Sequence, residues 1–406
     1  MNFQSNRGLF PYTMGMRLEA MQEALRGQEL DGWLFFDHHR RDGLAYRILG
    51  FEPPRTPTRR WYYFVPAQGE PVKLAHRIEA AMLDALPGAK RLYAGWQEQE
   101  QALRELLAGA RRVAMQYSPK CAVPYVAMVD AGTVELVRSL GVDVASSAAL
   151  VQQFEALWTP EQYASHKRAQ AKVDRIRAAA FRLAEERLAS GARITEFDIK
   201  QFILNAFETE GLFTDHGPIV AVNAHASDPH YEPQAGACAE VRRGDLLLVD
   251  LWAKERAPGA VYYDITWTAC CGAAPPERML EVFAAVAGAR DAAVQRVQQA
   301  AATGEPLCGY QVDDAARGYL RERGLDAYFI HRTGHSIGED VHGTGANMDN
   351  FETHDERPVV PGLCFSVEPG VYLPEFGIRS EVNVYRSETG AEVTGEVQRE
   401  LLRLAV

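Results

Sequence analysis

The stretch Gly244-Asp-Leu-Leu-Leu-Val-Asp250-Leu-Trp-Ala-Lys-Glu-Arg-Ala-Pro-Gly259-Ala-Val-Tyr-Tyr-Asp264-Ile-Thr-Trp-Thr268 decides how this chain is read. An apolar run, Leu246 to Val249, leads into Asp250; a turn with Pro258 and Gly259 follows; a second run, Ala260 to Tyr263, leads into Asp264. Short apolar segments on either side of a Pro-Gly turn predict paired strands. An ionised carboxylate beside a buried strand is costly unless it is paired or meets a cation. Either Asp alone reads as a surface residue at a strand end. The pair gains meaning only with further ligands.

Around this hairpin the chain repeats one grammar. Thr159-Pro160-Glu161-Gln162 predicts a helix start, with a cap, Pro in the first turn and Gln three residues on. The helix ends near Ser190-Gly191, and Thr195-Glu-Phe-Asp198 opens a second. Strands follow at 219–222, 246–252 and 260–269. Then Pro275-Pro276-Glu277 opens another long helix, 312–323 a shorter one, and strands are expected at 363–371 and 377–385. Two copies of helix, helix and strands predict an α+β unit with a cleft between its halves.

Further donors stand at corresponding places. His335 lies in Thr333-Gly-His-Ser-Ile-Gly338, and His342 follows seven residues later. Glu368 ends the apolar run Leu363 to Val367, and Glu381 follows Phe376-Gly-Ile-Arg-Ser380. One His and four carboxylates form an oxygen-rich set. That suits two divalent ions with shared carboxylates better than a closed Cys/His zinc site. Such a pair would hold a hydroxide and polarise a carbonyl, which fits amide hydrolysis. Gly334-His-Ser-Ile-Gly338 also fits G-x-S-x-G, the elbow of serine hydrolases, but Glu-Asp-Val-His-Gly-Thr-Gly after it is a poor helix. A non-catalytic binding module is the other alternative; it is disfavoured because no donor is missing.

In order and in local context these residues resemble the pita-bread dinuclear metallopeptidases, the family of methionine aminopeptidase, aminopeptidase P, prolidase and creatinase. The matching stretches are Val249-Asp-Leu-Trp252, Tyr263-Asp-Ile-Thr266, Gly334 to Gly338, Val367-Glu-Pro-Gly370 and Ile378-Arg-Ser-Glu381. The resemblance implies a pita-bread catalytic domain with an internal pseudo-twofold repeat over 158–406, behind a creatinase/prolidase-like α/β domain over 1–157. It implies that Asp250 chelates one metal, that Asp264 and Glu381 bridge, and that His335 and Glu368 hold the second. Glu368 would also act as general base. His230, in Ser227-Asp-Pro-His-Tyr231, and His342 would contact substrate and take part in catalysis, and Arg379 would hold a substrate carboxylate. The implied activity is hydrolysis of Xaa-Pro bonds, as a prolidase or an Xaa-Pro aminopeptidase. The implied cofactors are two divalent ions, manganese first, with cobalt or zinc admitted. A homodimer is the expected assembly. Two departures stand out: Asp250 and Asp264 are fourteen apart, wider than the family's gap, and His342 is followed by Gly343. The polar stretch 343–355 is expected to form a loop over the cleft.

The N-terminal third alternates strands (33–36, 61–65, 72–75, 112–115, 142–144) with helical patterns (14–29, 78–86, 97–108, 124–139), which predicts an α/β domain. His38-His39 reads as a helix start or a substrate-touching lip. At 406 residues, 47% hydrophobic and 24% charged, the chain is of ordinary globular composition. Its net charge of −11 argues against a general nucleic-acid or acidic-membrane binder. Six cysteines without paired spacing fit a reducing cytoplasm. The N-terminal octet shows no leader pattern, and no apolar run reaches membrane-spanning length.

Overall fold

The computed structural model describes residues 14–406; the N-terminal octet read for a leader lies outside them. The chain divides into two compact units after Glu155. In the first, six strands form one mixed sheet: β1 (Gly32–Asp37), β2 (Trp61–Pro66), β3 (Val72–His76), β4 (Ala89–Tyr93), β5 (Arg112–Met115) and β6 (Asp143–Ser146), in the order β4-β3-β2-β1-β5-β6. Trp33 and Phe35 face one core and Leu34 and Phe36 another, so β1 is buried on both faces and reads as a continuous apolar run. Two expectations fail here. Residues 78–86 form one 3-10 turn and further turns instead of a helix, and 124–139 holds a 3-10 turn at Pro124–Val126 and is α-helical only from Ala131. Asp130 caps that shorter helix, accepting from Thr133 N at 2.9 Å. His38-His39 sits in the turn after β1, where His39 has φ 63.

The second unit shows the duplicated grammar. Helices Pro160–Ala189 and Glu196–Thr209 precede β7 (Leu212–Phe213), β8 (Ile219–Val222), β9 (Leu246–Glu255) and β10 (Tyr263–Cys270). Helices Glu277–Thr303 and Gly309–Arg321 precede β11 (Cys364–Val367), β12 (Gly370–Tyr372), β13 (Gly377–Arg379) and β14 (Val382–Arg386). The chain closes with β15 (Ala391–Thr394) and β16 (Leu402–Arg403). Both helix starts of the first copy carry the capping boxes their sequences announce, Thr159 with Gln162 and Thr195 with Asp198. β9 pairs antiparallel with β10 on one side and with β8 on the other, while β16 runs parallel to β10.

Each copy has its own core. Leu247, Val249, Leu251 and Ala253 of β9 join Tyr263, Ile265 and Ala269 of β10 against the first helix pair. Leu246, Leu248 and Cys270, on the opposite face, join the second helix pair and β11, β13 and β14. Alternation along a strand therefore sends even-numbered residues of both β9 and β10 towards the space between the copies. All six cysteines are free, and among the described residues no helix is long and apolar enough to cross a membrane.

Candidate metal centre

Asp250 and Asp264 lie on that even-numbered face. The register sets Asp250 opposite Thr266 and Asp264 opposite Trp252, so the two carboxylates are diagonal neighbours across one hairpin. The second copy supplies the rest. The strands expected at 363–371 and 377–385 are each broken, and the breaks fall at the acids: Glu368 lies between β11 and β12, and Glu381 between β13 and β14. Glu368 N donates to Thr333 O at 2.8 Å, and Glu381 N to Thr266 O at 3.2 Å. These bonds hold both residues where the ladder stops and turn them towards the hairpin.

Ligand atoms of Asp264, His335 and Glu381 lie within 4.8 Å of one another. His335 Nε2 is 3.5 Å from Asp264 Oδ2 and 3.3 Å from Glu368 Oε1, while its Nδ1 is 3.1 Å from Ser336 O. Asp250 Oδ2 accepts from Arg379 at 2.6 Å. One guanidinium and one imidazole thus face four carboxylates. Burial above all, and then the Asp250 charge, push the Asp264 carboxyl well above the usual range. Burial followed by Asp264, Glu368 and Asp250 does the same to Glu381. Glu368 is raised by burial against the pull of His335 and Arg379, and burial lowers His335.

The hydrogen bonding leaves an unfinished shell. Asp250 Oδ1, Asp264 Oδ1 and Glu381 Oε1 are buried with no hydrogen-bond partner. Buried carboxylate oxygens are normally paired or coordinate metals. Here the second oxygens of Asp250 and Glu381 are fixed by Arg379 at 2.6 Å and Thr266 Oγ1 at 2.8 Å, leaving the first free for a cation. Hard oxygen donors with one imidazole suit a divalent ion. This donor set therefore fits a metal.

The other candidates are distributed differently. The rings of His342 and His335 are 4.4 Å apart, edge to face. His335 first, then the surrounding protein, hold His342 down to about 2, with Arg332, His230 and His216 adding to the effect. The ring is therefore a neutral imidazole. His230 is exposed, its backbone N donating to Asp228 Oδ1 at 3.0 Å. Arg379, expected at a substrate carboxylate, pairs within the protein. It is 3% exposed, and its Nε, Nη1 and Nη2 donate to Thr266 Oγ1, Tyr372 OH and Asp250 Oδ2. It braces the acids from beneath, because four buried carboxylates demand a cation more strongly than an open cleft does. The 343–355 stretch is likewise no loose cover: residues 343–349 are buried. Asp349 accepts from Phe351 N, Glu352 N and Thr353 N, and Arg357 forks onto Asp355. Ser336 is 0% exposed and its hydroxyl accepts from Gly345 N, which removes it from the cleft.

Sequence reasoning passed over Thr266, Ser366 and Tyr372. Thr266 had a signal: a polar residue two places after Asp264 must share its face. Ser366 accepts from His335 N at 2.9 Å and donates to Glu368 Oε1 at 3.0 Å, tying two candidate ligands together. The pair Asp215-His216 was also missed; Asp215 accepts from Trp252 Nε1 at 2.9 Å beside Asp264.

Gly334 admits the close approach that sets His335. A Cβ there would stand 1.9 Å from Ser366 O. Gly334→Ala is expected to cost roughly 1–3 kcal/mol, as overpacking does, and to weaken divalent-ion binding. Calorimetric unfolding with and without Mn2+ checks both.

The two-copy α+β fold carries a buried acid cluster fit to hold a metal, and residues 164–388 match metallopeptidase family M24, to which the chain belongs. Among curated relatives, the probable dipeptidase PepE of Mycobacterium tuberculosis is 32% identical over 241 residues, covering 59% of this chain and 58% of that protein. The Xaa-Pro dipeptidase of Pyrococcus furiosus is 30% identical over 189 residues, covering 45% and 48%. The chain thus spans about half the length of these relatives. Among solved structures, dipeptidase PepE from Mycobacterium ulcerans aligns with a TM-score of 0.74 at 27% identity, covering 98% of this chain and 100% of that one. A prolidase from Thermococcus sibiricus gives 0.67 at 22%, covering 97% and 100%, which shows the shared fold. The pita-bread architecture expected from the sequence is therefore present, together with its N-terminal companion.

Proposed function

We propose that this protein is a metallopeptidase that hydrolyses the Xaa-Pro bond of dipeptides or short peptides, with two divalent ions held by Asp250, Asp264, His335, Glu368 and Glu381. The observation that carries the reading is the set of three partnerless buried carboxylate oxygens beside His335. Divalent ions bound there supply Lewis acidity towards the scissile carbonyl and lower the pKa of water.

The side chains divide the remaining work. The side chains of Asp250 and Asp264 are 11% and 8% exposed and that of Glu368 is 17% exposed, while Glu381 is fully buried. Glu368 is thus the acid that reaches the opening, and it takes the proton of the attacking water and returns it to the leaving nitrogen. Neutral His342 donates an N–H to the carbonyl oxygen as charge develops on it. His230 binds the substrate from the facing loop. Arg379 orients Asp250 through the bond to its Oδ2.

Proline supports the substrate class through chemistry as well as kinship. Its tertiary amide lacks an N–H and its ring fixes φ, so general peptidases handle it poorly and a dedicated cleft is needed. The name of the Pyrococcus relative, an Xaa-Pro dipeptidase, points the same way; that of the Mycobacterium relative points to a dipeptidase without naming proline. The test is turnover of Ala-Pro and of Ala-Pro-Ala by enzyme reconstituted with Mn2+, Co2+ or Zn2+. Cleavage of Ala-Pro alone selects a dipeptidase, and cleavage of both an aminopeptidase. Turnover of neither with any ion removes the proline assignment. Ser336→Ala should retain activity that chelators abolish; the reverse would restore the serine-hydrolase alternative.

A further inference from the structure

We infer that the short helix of each copy carries a buried acid and, one turn later, a base that together position a histidine-bearing loop: Glu196 with Lys200 for His230, and Asp313 with Arg317 for His335. The assignment of roles to the two histidines rests on the metallopeptidase reading above.

Glu196 is 0% exposed. Its Oε1 accepts from Val222 N at 2.8 Å and lies 2.9 Å from His225 Nδ1; its Oε2 accepts from Tyr231 OH and from Ala239 N, both at 2.7 Å. One carboxylate therefore gathers both ends of the 222–239 segment and the residue next to His230. Lys200 donates to Glu232 Oε1 at 2.6 Å and to Pro233 O at 3.1 Å, fixing the chain just beyond. His230 itself is exposed, so its direction is set by these neighbours rather than by packing of its own ring.

Asp313 repeats the device on helix Gly309–Arg321. It is also 0% exposed, and its Oδ1 accepts from Thr333 N at 2.9 Å and Thr333 Oγ1 at 2.7 Å. Arg317 donates to Phe329 O and His331 O, each at 2.9 Å, and forks onto Asp313. These bonds fix the segment that enters Gly334-His335. In both copies the acid accepts backbone N–H groups and the base, four residues on and so on the same helix face, donates to backbone carbonyls. A loop has no ladder of its own, and a charged acceptor and donor at a fixed separation satisfy both kinds of backbone group at once. A buried charge contributes little net stability, so positional specificity is the better account of the duplication.

The test uses the full chain and three readouts: Mn2+ affinity by calorimetry, Ala-Pro kinetics at saturating Mn2+, and amide exchange over 223–239 and 329–335. Glu196→Gln and Asp313→Asn each set an amide donor against N–H groups. For Glu196→Gln, KM should rise about fivefold or more, with Mn2+ affinity inside about twofold of the parent and faster exchange confined to 223–239. For Asp313→Asn, Mn2+ affinity should fall about tenfold, with KM at saturating Mn2+ inside about twofold and faster exchange confined to 329–335. Lys200→Met and Arg317→Lys should reproduce the two patterns more mildly, and they decide the matter if an acid variant does not fold. The inference is overturned if the variants lower the melting temperature while KM and Mn2+ affinity stay at parental values, or if each disturbs both loops alike. Should the parent neither bind Mn2+ nor cleave Ala-Pro, the functional reading fails. The exchange maps then decide the clamps alone: unchanged exchange overturns them, and loop-confined exchange upholds them.

Discussion

Stripped of divalent ions, the protein should lose stability as pH rises above the range near about 4 where the unfolded carboxylates titrate, and Mn2+ should remove that slope. The folded-state carboxyls of Asp264 and Glu381 are both held well above the ordinary range, by burial first and then by the Asp250 charge at Asp264 and the Asp264 charge at Glu381. A raised acid pKa means that the folded form keeps a proton the unfolded form has already released. The stability from that proton is fully present below the unfolded pKa and is lost as pH climbs through the folded one. Above it, Asp250, Asp264, Glu368 and Glu381 face one another with Arg379 as the fixed counter-charge and three oxygens without donors. A bound cation replaces the missing protons and adds about 2.7 kcal/mol when present at a hundred times its Kd. Melting temperatures in EDTA and in Mn2+ at several pH values decide the matter. An apo melting temperature that stays flat or rises as pH rises above that range would show that this cluster is not the strained element. The Asp264→Asn, Glu381→Gln double variant should flatten the apo slope and lose the Mn2+ effect together.

The parts of this centre that could be read from the sequence were those governed by local rules. Asp250 and Asp264 announced themselves because each interrupts an apolar strand, and strand alternation fixes the face of Thr266 as well. Thr159 and Thr195 marked helix starts because capping is a matter of three consecutive residues. The failures arose where tertiary bonding overrides local character. Strand β4 shows mostly exposed residues and no apolar alternation, so it gave no signal. The 343–355 stretch is the polar loop expected, without helix or strand, but its first half is buried and its polar groups meet their own backbone, with Asp349 and Asp355 as internal acceptors. Polarity measures the need for partners, and here the chain supplies them itself. At Arg379 the residue type suits a substrate carboxylate, and the structure adds a partner the sequence did not show, the carboxylate of Asp250. Glu196 and Asp313 look like ordinary helix acids until the loops they hold are placed beside them.

Glu368→Gln should lower kcat by about 10²–10⁴-fold, the usual worth of a positioned general base, while leaving KM little changed. The substitution keeps shape, and the side-chain oxygen can still accept from Ser366 Oγ, now 3.0 Å from Oε1. It removes the ability to take a proton and, with it, the negative charge that a bound ion would meet. Oε2 lies 4.0 Å from Arg379 Nε, beyond hydrogen-bond reach, so one oxygen of this acid remains open towards the cleft. Neither Asp264 nor Glu381 offers the same opening, and Asp250 is committed to Arg379. Because the base acts only in the transition state, kcat and kcat/KM should fall together. Loss of a ligand gives a different signature: metal content drops, and excess Mn2+ restores rate. Metal analysis of the purified variant beside its kinetics therefore separates the two roles. A variant that keeps its ions and stays within about tenfold of parental kcat would place the base elsewhere, with His342 the next group to test. A variant whose lost rate returns in full with added Mn2+ would leave Glu368 as a ligand alone.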